Sequence, residues 1–156
     1  MMAGRIVVPE IRSGQPMWLV GRTISRDVAP KYLGLPGRKP LLGWELASTE
    51  NEVCLVEGVF DYLVLRSWGY PALAMVGTHV RPVALEALER FAHVYLVLDT
   101  DEAGRKASGE LAQVLGSRAT EVILPGVKDL ADLALRPDGR SIFARALDQS
   151  EGALAA

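Results

Sequence analysis

The residues best placed to do chemistry are acidic and stand at the ends of apolar runs. Asp99-Thr100-Asp101 follows the run Val94 to Leu98, and Glu57-Gly58 follows Val53 to Val56. In extended backbone, residues i and i+2 point the same way, so Asp99 and Asp101 can turn both carboxylates toward one cation. Three carboxylates within ~5 Å repel by about 3 kcal/mol per pair at an effective dielectric of 20. A fold keeps such a group only where a cation neutralises it or protons are shared. Hard oxygen donors of this kind suit Mg²⁺ or Mn²⁺. A competing reading makes Asp101 the cap of the helix that follows, a common role for Asp. Capping alone asks for neither Asp99 nor Glu57. Further along, Pro125-Gly126-Val127-Lys128-Asp129 leaves another apolar run. Asp129 is a candidate second metal ligand or a helix cap; Lys128 is a candidate phosphate contact or a surface lysine. Gly77-Thr78-His79 closes one more run, with Thr78 a support for the site or part of a turn. His79 and His93 lack metal-site spacing. Cys54 is the only cysteine, so neither an internal disulfide nor a cysteine zinc site can form.

The elements that must position these acids follow from pattern. VCLVE (53–57) reads as a strand buried on both faces, because its apolar run is continuous. A helix from Asp61 to Trp68 is stopped by Gly69. PALAMV (71–76) is a second strand, and a helix over 81–91 has Pro82 in its first turn. VYLVL (94–98) is the third strand, Glu102 to Leu115 the next helix, and TEVIL (120–124) the fourth strand. Short helices over 129–135 and 141–148 finish the chain. Strand–helix alternation with short connections implies an α/β fold around a four-stranded parallel sheet with right-handed crossovers. A spatial order of second, first, third, fourth places the switch in winding between the first and third strands. Open α/β sheets bind ligands in that crevice, and Glu57 and Asp99 both open onto it. Ahead of this unit, RIVVPEIR (5–12) and MWLVGRTI (17–24) flank a turn signal at residues 13–16 and form a β-hairpin. Residues 34–43, dense in Gly and Pro, read as a loop. The expected division is a β-rich segment over 1–48, the α/β unit over 49–148 and a flexible tail over 149–156.

Composition is consistent with this picture. The chain has 156 residues, 49% of them hydrophobic, enough for one ordinary domain with a real core. No apolar run approaches the ~20 residues of a membrane span, and the first ten residues do not resemble a secretory signal. A cytoplasmic protein is expected. Net charge is −2, but residues 1–50 carry seven Lys/Arg against four Asp/Glu, while the remainder is acidic. A basic front and an acidic rear suit phosphates and metal respectively, although solvated surface charge explains the same split. No GxGxxG or GxxxxGK[ST] motif occurs, which removes dinucleotide and P-loop readings.

Val56-Glu57-Gly58-Val59-Phe60-Asp61, Gly77-Thr78, Leu98-Asp99-Thr100-Asp101-Glu102-Ala103-Gly104 and Pro125 to Asp132, taken in order, resemble the TOPRIM domain. That domain is shared by bacterial-type primases, topoisomerases and some nucleases, and it is a Rossmann-like sheet with helices on both faces. The likeness covers roughly residues 50–135 and is nearest to bacterial replicative (DnaG-type) primases and their phage relatives. Pro30-Lys31-Tyr32-Leu33-Gly34-Leu35-Pro36 and Gly21-Arg22 are similar to the primase core just before that domain, where such residues line the template and nucleotide path. There, Asn-Ser usually stands where this chain has Gly34-Leu35.

The resemblance implies metal-dependent nucleotidyl transfer: RNA primer synthesis on single-stranded DNA from nucleoside triphosphates. In that reading Glu57, Asp99 and Asp101 are catalytic. Asp99 and Asp101, with Asp129 and Glu57 as further ligands, hold Mg²⁺ or Mn²⁺. Arg22, Lys31, Tyr32 and Lys128 meet template or nucleotide. Such primases carry a zinc-binding module in front and helical and helicase-binding regions behind, so a fragment or a reduced form working with those partners is expected. Three rivals share parts of the pattern. They are a TOPRIM nuclease, a nucleic-acid-binding module without activity, and a haloacid-dehalogenase-type phosphatase. The last has no use for Glu57-Gly58 and wants Thr or Val where Ala103 stands.

Overall fold

The computed structural model of the chain describes residues 2–25, 27–77, 79 and 81–154. β-Branched and aromatic residues at the start make a hairpin. β1 (Arg5–Arg12) and β2 (Gln15–Thr23) pair antiparallel, and β3 (Tyr32–Gly34) adds to the other side of β2. β3 lies where the sequence suggests only the approach to a loop. Its placement comes from Trp18, whose ring lies so close to Gly34 that an added Cβ would sit 2.5 Å from Trp18 Cζ2. The indole Nε1 also donates to the Leu35 carbonyl at 3.0 Å. Only glycine lets strand and ring approach this closely, which accounts for Gly34. The Gly/Pro stretch ends by pairing with the main sheet, Leu42 bridging Ala74, before the short helix α1 (Trp44–Ala47).

The second sheet holds β4 (Glu52–Val56), β5 (Ala72–Ala74), β6 (His93–Val97) and β7 (Ala119–Glu121), all parallel, in the order β5-β4-β6-β7. This is the spatial order expected from the sequence, it is compatible with right-handed crossovers, and it puts the switch in winding between β4 and β6. Side chains alternate between two apolar layers. Cys54, Val56, Tyr95 and Val97 face α2 (Val59–Trp68), α5 (Leu130–Leu133) and α6 (Gly139–Leu154). Val53, Leu55, Leu96 and Leu98 face α3 (Pro82–Leu88) and α4 (Glu102–Leu115). Helices therefore cover both faces, as continuous apolar strands demand.

Boundaries depart from the sequence reading where local geometry intervenes. β5 is shorter than 71–76, with Val76 at φ 54 turning the chain out of the strand. α3 ends at Leu88 and α5 spans one turn. β7 stops at Glu121, although Val122 still donates to the Leu96 carbonyl at 2.9 Å. Residues 149–154, expected as part of a flexible tail, continue α6, and Tyr95 Oη donates to Glu151 at 2.8 Å on that extension. Among the described residues no helix is long and apolar enough to cross a membrane.

The hairpin is fastened to the main sheet by a buried charge. Glu10, 1% exposed, accepts from the Gly43 amide and faces Arg12 Nε at 2.7 Å. Burial raises its carboxyl above the usual range while Gly43 and Arg12 pull it back. Removing one partner of a buried pair leaves an uncompensated charge. Arg12→Met is expected to lower stability by about 2 kcal/mol, with Glu10→Gln in that background recovering part of the loss. Urea unfolding of the three proteins checks this.

Candidate functional site

The carboxyl end of the sheet forms a cleft of about 410 Å³ between β4, β6 and the hairpin. Glu57 leaves β4 one residue past its end and is buried; Asp99 leaves β6 two residues past its end. They are joined through backbone, the Asp99 amide donating to Glu57 Oε1 at 3.2 Å. Gly104, in the first turn of α4, closes the same corner. A Cβ there would lie 2.0 Å from the Asp99 carbonyl oxygen and 2.7 Å from Glu57 Oε1. Any larger residue must push the helix off the strand end.

Asp101 serves two neighbours. Its Oδ1 accepts from the Gly104 amide at 3.0 Å and caps α4, while Oδ2 faces Lys128 Nζ at 3.6 Å. Asp99 Oδ2 faces the same ammonium at 3.9 Å. Both acids of the Asp-x-Asp therefore address one positive charge, as the i, i+2 spacing suggested, and that charge is a lysine. Lys128 is brought there by backbone: the Thr100 amide and hydroxyl both donate to the Lys128 carbonyl, at 3.1 and 3.3 Å. Asp101 stands at the margin, outside the residues that line the cleft. Asp129 lines it, and its Oδ1 caps α5 by accepting from the Asp132 amide at 2.8 Å.

The sequence reading placed three carboxylates around one cation. Among the described residues, no group of three Asp, Glu, His or Cys side chains is gathered closely enough to hold a metal ion. The reasons are local: Glu57 turns to the Asp99 amide, Asp129 to its helix, and Lys128 lies between Asp99 and Asp101. The pair that faces Lys128 still fits a divalent ion, since both groups are hard oxygen donors aimed at a common cation. Thr78 lies outside the described residues, and His79 is exposed.

Sequence reasoning missed two residues. Asp61, 8% exposed on α2, accepts from the Ala131 amide at 2.9 Å and so ties α2 to α5 beneath the cleft. It was legible as an acid four residues after Glu57 within the motif, on the face of a helix that must turn inward. Phe60 presents its ring to the Arg22 guanidinium, 4.4 Å from the centroid, while Tyr32 lies 5.7 Å on another side. Lys31 Nζ is 5.7 Å from the same Tyr32 ring. Arg22 on β2, Lys31 and Tyr32 at β3 thus form the first sheet's wall of the cleft, held by cation–π contacts.

Crowding of acids sets the electrostatics. Burial, then the Asp99 charge, pushes Glu57 up to about 7. Burial, then Asp61 and Asp129, pushes Asp99 up to about 6. Burial likewise raises Asp61. Asp101, in contact with the Gly104 amide and Lys128, is held below the usual range. Lys128 is raised in turn by Asp99 and Asp101. Near neutral pH the cleft can therefore hold a proton on Glu57, release it, or replace it with another cation.

Residues 54–134 match the Toprim-like family, and the chain belongs to that family. The DNA primase of Aquifex aeolicus is 34% identical over 131 residues, covering 76% of this chain and 26% of that protein. The DNA primase of Campylobacter jejuni is 28% identical, covering 78% of this chain and 23% of its own length. The chain thus spans about a quarter of the curated primases it matches. The Gene 57 protein of Mycobacterium phage D29 is 27% identical, and there the match covers 85% of this chain and 91% of the phage protein. Among solved structures, the zinc-binding and RNA polymerase domains of the Aquifex aeolicus primase superpose with a TM-score of 0.79 at 28% identity. That match covers 96% of this chain and 41% of that one. The RNA polymerase domain of Mycobacterium tuberculosis primase matches with a TM-score of 0.77 at 26% identity, covering 91% and 54%.

Because Glu57 keeps its proton in the folded state well above the range of a free carboxyl, the native protein binds more protons than the unfolded chain between about pH 4.5 and 7. Stability is lost as pH rises through that window. Glu57→Gln removes this contribution. Its stability relative to wild type is expected to rise by about 2 kcal/mol between roughly pH 5 and 8 without divalent metal, as read from urea midpoints at both pH values.

Proposed function

We propose that this chain supplies the catalytic part of metal-dependent nucleotidyl transfer in nucleic-acid synthesis, of primase type. In this reading RNA primers are made on single-stranded DNA from nucleoside triphosphates. The observation that carries the proposal is the pairing of Asp99 and Asp101 on one cation position beside a cleft whose other wall is basic. Membership of the Toprim-like family and likeness to primase polymerase domains support it. The β-rich segment of 1–48 and the α/β unit of 49–148 act as two halves of this one site.

Asp99 and Asp101 would hold Mg²⁺ or Mn²⁺, with Asp129 a further ligand once it turns from the Asp132 amide that it now caps, and the ion would neutralise triphosphate charge and lower the pKa of the attacking 3′-hydroxyl. Glu57 can take up or return a proton near neutrality at the back of the cleft. Arg22 and Lys31 hold phosphates of template or nucleotide, with Tyr32 and Phe60 fixing the guanidinium's position. With such an ion bound, the Lys128 ammonium, which now stands between the two aspartates, would be free to serve a phosphate. The zinc-binding module and helicase contacts of longer primases come from other segments or other proteins.

Primer synthesis on single-stranded DNA with nucleoside triphosphates and Mg²⁺ or Mn²⁺ tests the reading, in the presence of any partner segments. Asp99→Asn or Asp101→Asn is expected to abolish synthesis. Asn caps a helix about as well as Asp, so α4 stays in place and the loss reports charge. Metal-dependent nicking without triphosphates would instead assign the cleft to hydrolysis. Removing the resident ammonium with Lys128→Met is expected to tighten Mn²⁺ binding about fivefold in titration calorimetry while weakening nucleotide binding; unchanged Mn²⁺ affinity would refute the displacement.

A further inference from the structure

The apolar run that ends at Val76 reads as strand to its last residue, yet Val76 adopts a φ of 54. A β-branched side chain in left-handed backbone crowds its own peptide groups and is rare. Gly77, at φ 131, has no side chain to crowd. Val76 has one, and it packs against the core. Conformations of this kind persist only where their surroundings impose them, and they gather at functional sites. Val76 and Gly77 line the acidic cleft together with Glu57 and Gly58.

Contacts on both sides impose this one. The Met75 amide donates to the Val56 carbonyl at 3.0 Å and the Gly77 amide to the Glu57 carbonyl at 3.1 Å, so the end of β4 takes the amides flanking Val76. The Val76 carbonyl accepts instead from Lys39 Nζ. Backbone pairing brings that lysine there. Leu42 and Ala74 exchange amide–carbonyl bonds at 2.9 and 3.0 Å, and the same antiparallel register carried outward sets Lys39 alongside Val76 and Gly77. A Cβ added to Gly77 would stand 3.4 Å from Nζ. Lys39 is half-buried, and burial, then the charge of Arg81, hold its ammonium below the usual range. Among the described residues no carboxylate pairs with it. A cation kept under those conditions must be stabilised by what it touches, which is the Val76 carbonyl. Hydrogen bonds from an ionised donor are about twice as strong as neutral ones.

We infer that Lys39 is a positioning residue for the acidic cleft: its ammonium on the Val76 carbonyl holds Val76 in left-handed backbone and so keeps the Gly77 amide on the Glu57 carbonyl. Lys39 thereby acts on the wall beside Glu57 through the main chain. The inference rests on the catalytic reading for what the cleft does, and on the turn itself for how that wall is held.

The test exploits the one residue that needs no such support. With glycine at position 76 the left-handed conformation carries no steric penalty, and asparagine tolerates it while keeping a side chain. Exchange of the Gly77 amide is followed by NMR in the whole chain, beside primer synthesis. Lys39→Met is expected to speed that exchange by about tenfold and to slow synthesis. Adding Val76→Gly, or Val76→Asn, is expected to restore both although the lysine is still absent. Where Lys39→Met alone does not fold, Val76→Gly with and without Lys39 decides, the two differing by no more than about twofold in exchange. Unchanged exchange in Lys39→Met would overturn the inference. So would a loss of synthesis that neither Val76 variant restores, which would make Lys39 a direct ligand contact. Faster exchange with unchanged synthesis would leave the contact purely structural and overturn the positioning role. A wild type that makes no primer sinks the catalytic reading alone, since the exchange pattern still decides whether Lys39 holds the turn.

Discussion

Acidic side chains crowded at one rim of a parallel sheet are the constraint to which the rest of this structure answers. Five carboxyl-bearing residues line the cleft against three cationic ones, so ionising every acid leaves an excess of negative charge in a partly desolvated place. The molecule meets this in three ways. Backbone amides are aimed at Glu57, Asp61, Asp101 and Asp129; the Lys128 ammonium is drawn between Asp99 and Asp101; and protons are retained on Glu57 and Asp99 toward neutrality. Each is a device that a bound cation would relieve.

Rigid supports hold the acids in this unfavourable company. Glu57 and Asp99 extend from neighbouring central strands whose side chains are buried on both faces, so neither can retreat without dragging a strand with it. Gly104 brings the first turn of α4 against the end of β6, and the cap on that helix fixes Asp101. Asp61 and the Ala131 amide connect α2 to α5 from below. The first sheet closes the other side, carrying Arg22 on β2 and Lys31 and Tyr32 at β3, and the buried Glu10 with Arg12 and Gly43 keeps it attached. Charge and packing are coupled: the apolar layers supply the stability that the acidic rim draws down.

Much of the fold could be read without coordinates, because it follows from patterns that repeat along the chain. The runs around Val53, Val94 and Thr120, separated by helical periodicity, already imply a parallel sheet with Glu57 and Asp99 on one edge. The turn at residues 13–16 implies the hairpin. Less visible were features set by contacts between distant segments. β3 exists because Trp18 covers Gly34, and the last turns of α6 are held where Tyr95 reaches Glu151. Nothing near Gly34 or Glu151 in the chain announces either partner.

The same division holds at the site. Residue types, the i, i+2 spacing of Asp99 and Asp101, and their position after an apolar strand follow from the chain alone, since they depend on backbone geometry and local sequence. Which cation those carboxylates face, which acids keep their protons, and the inward placement of Asp61 and Phe60 came only from the tertiary structure. Electrostatic energy depends on distance and burial, and both are fixed by how separate elements pack.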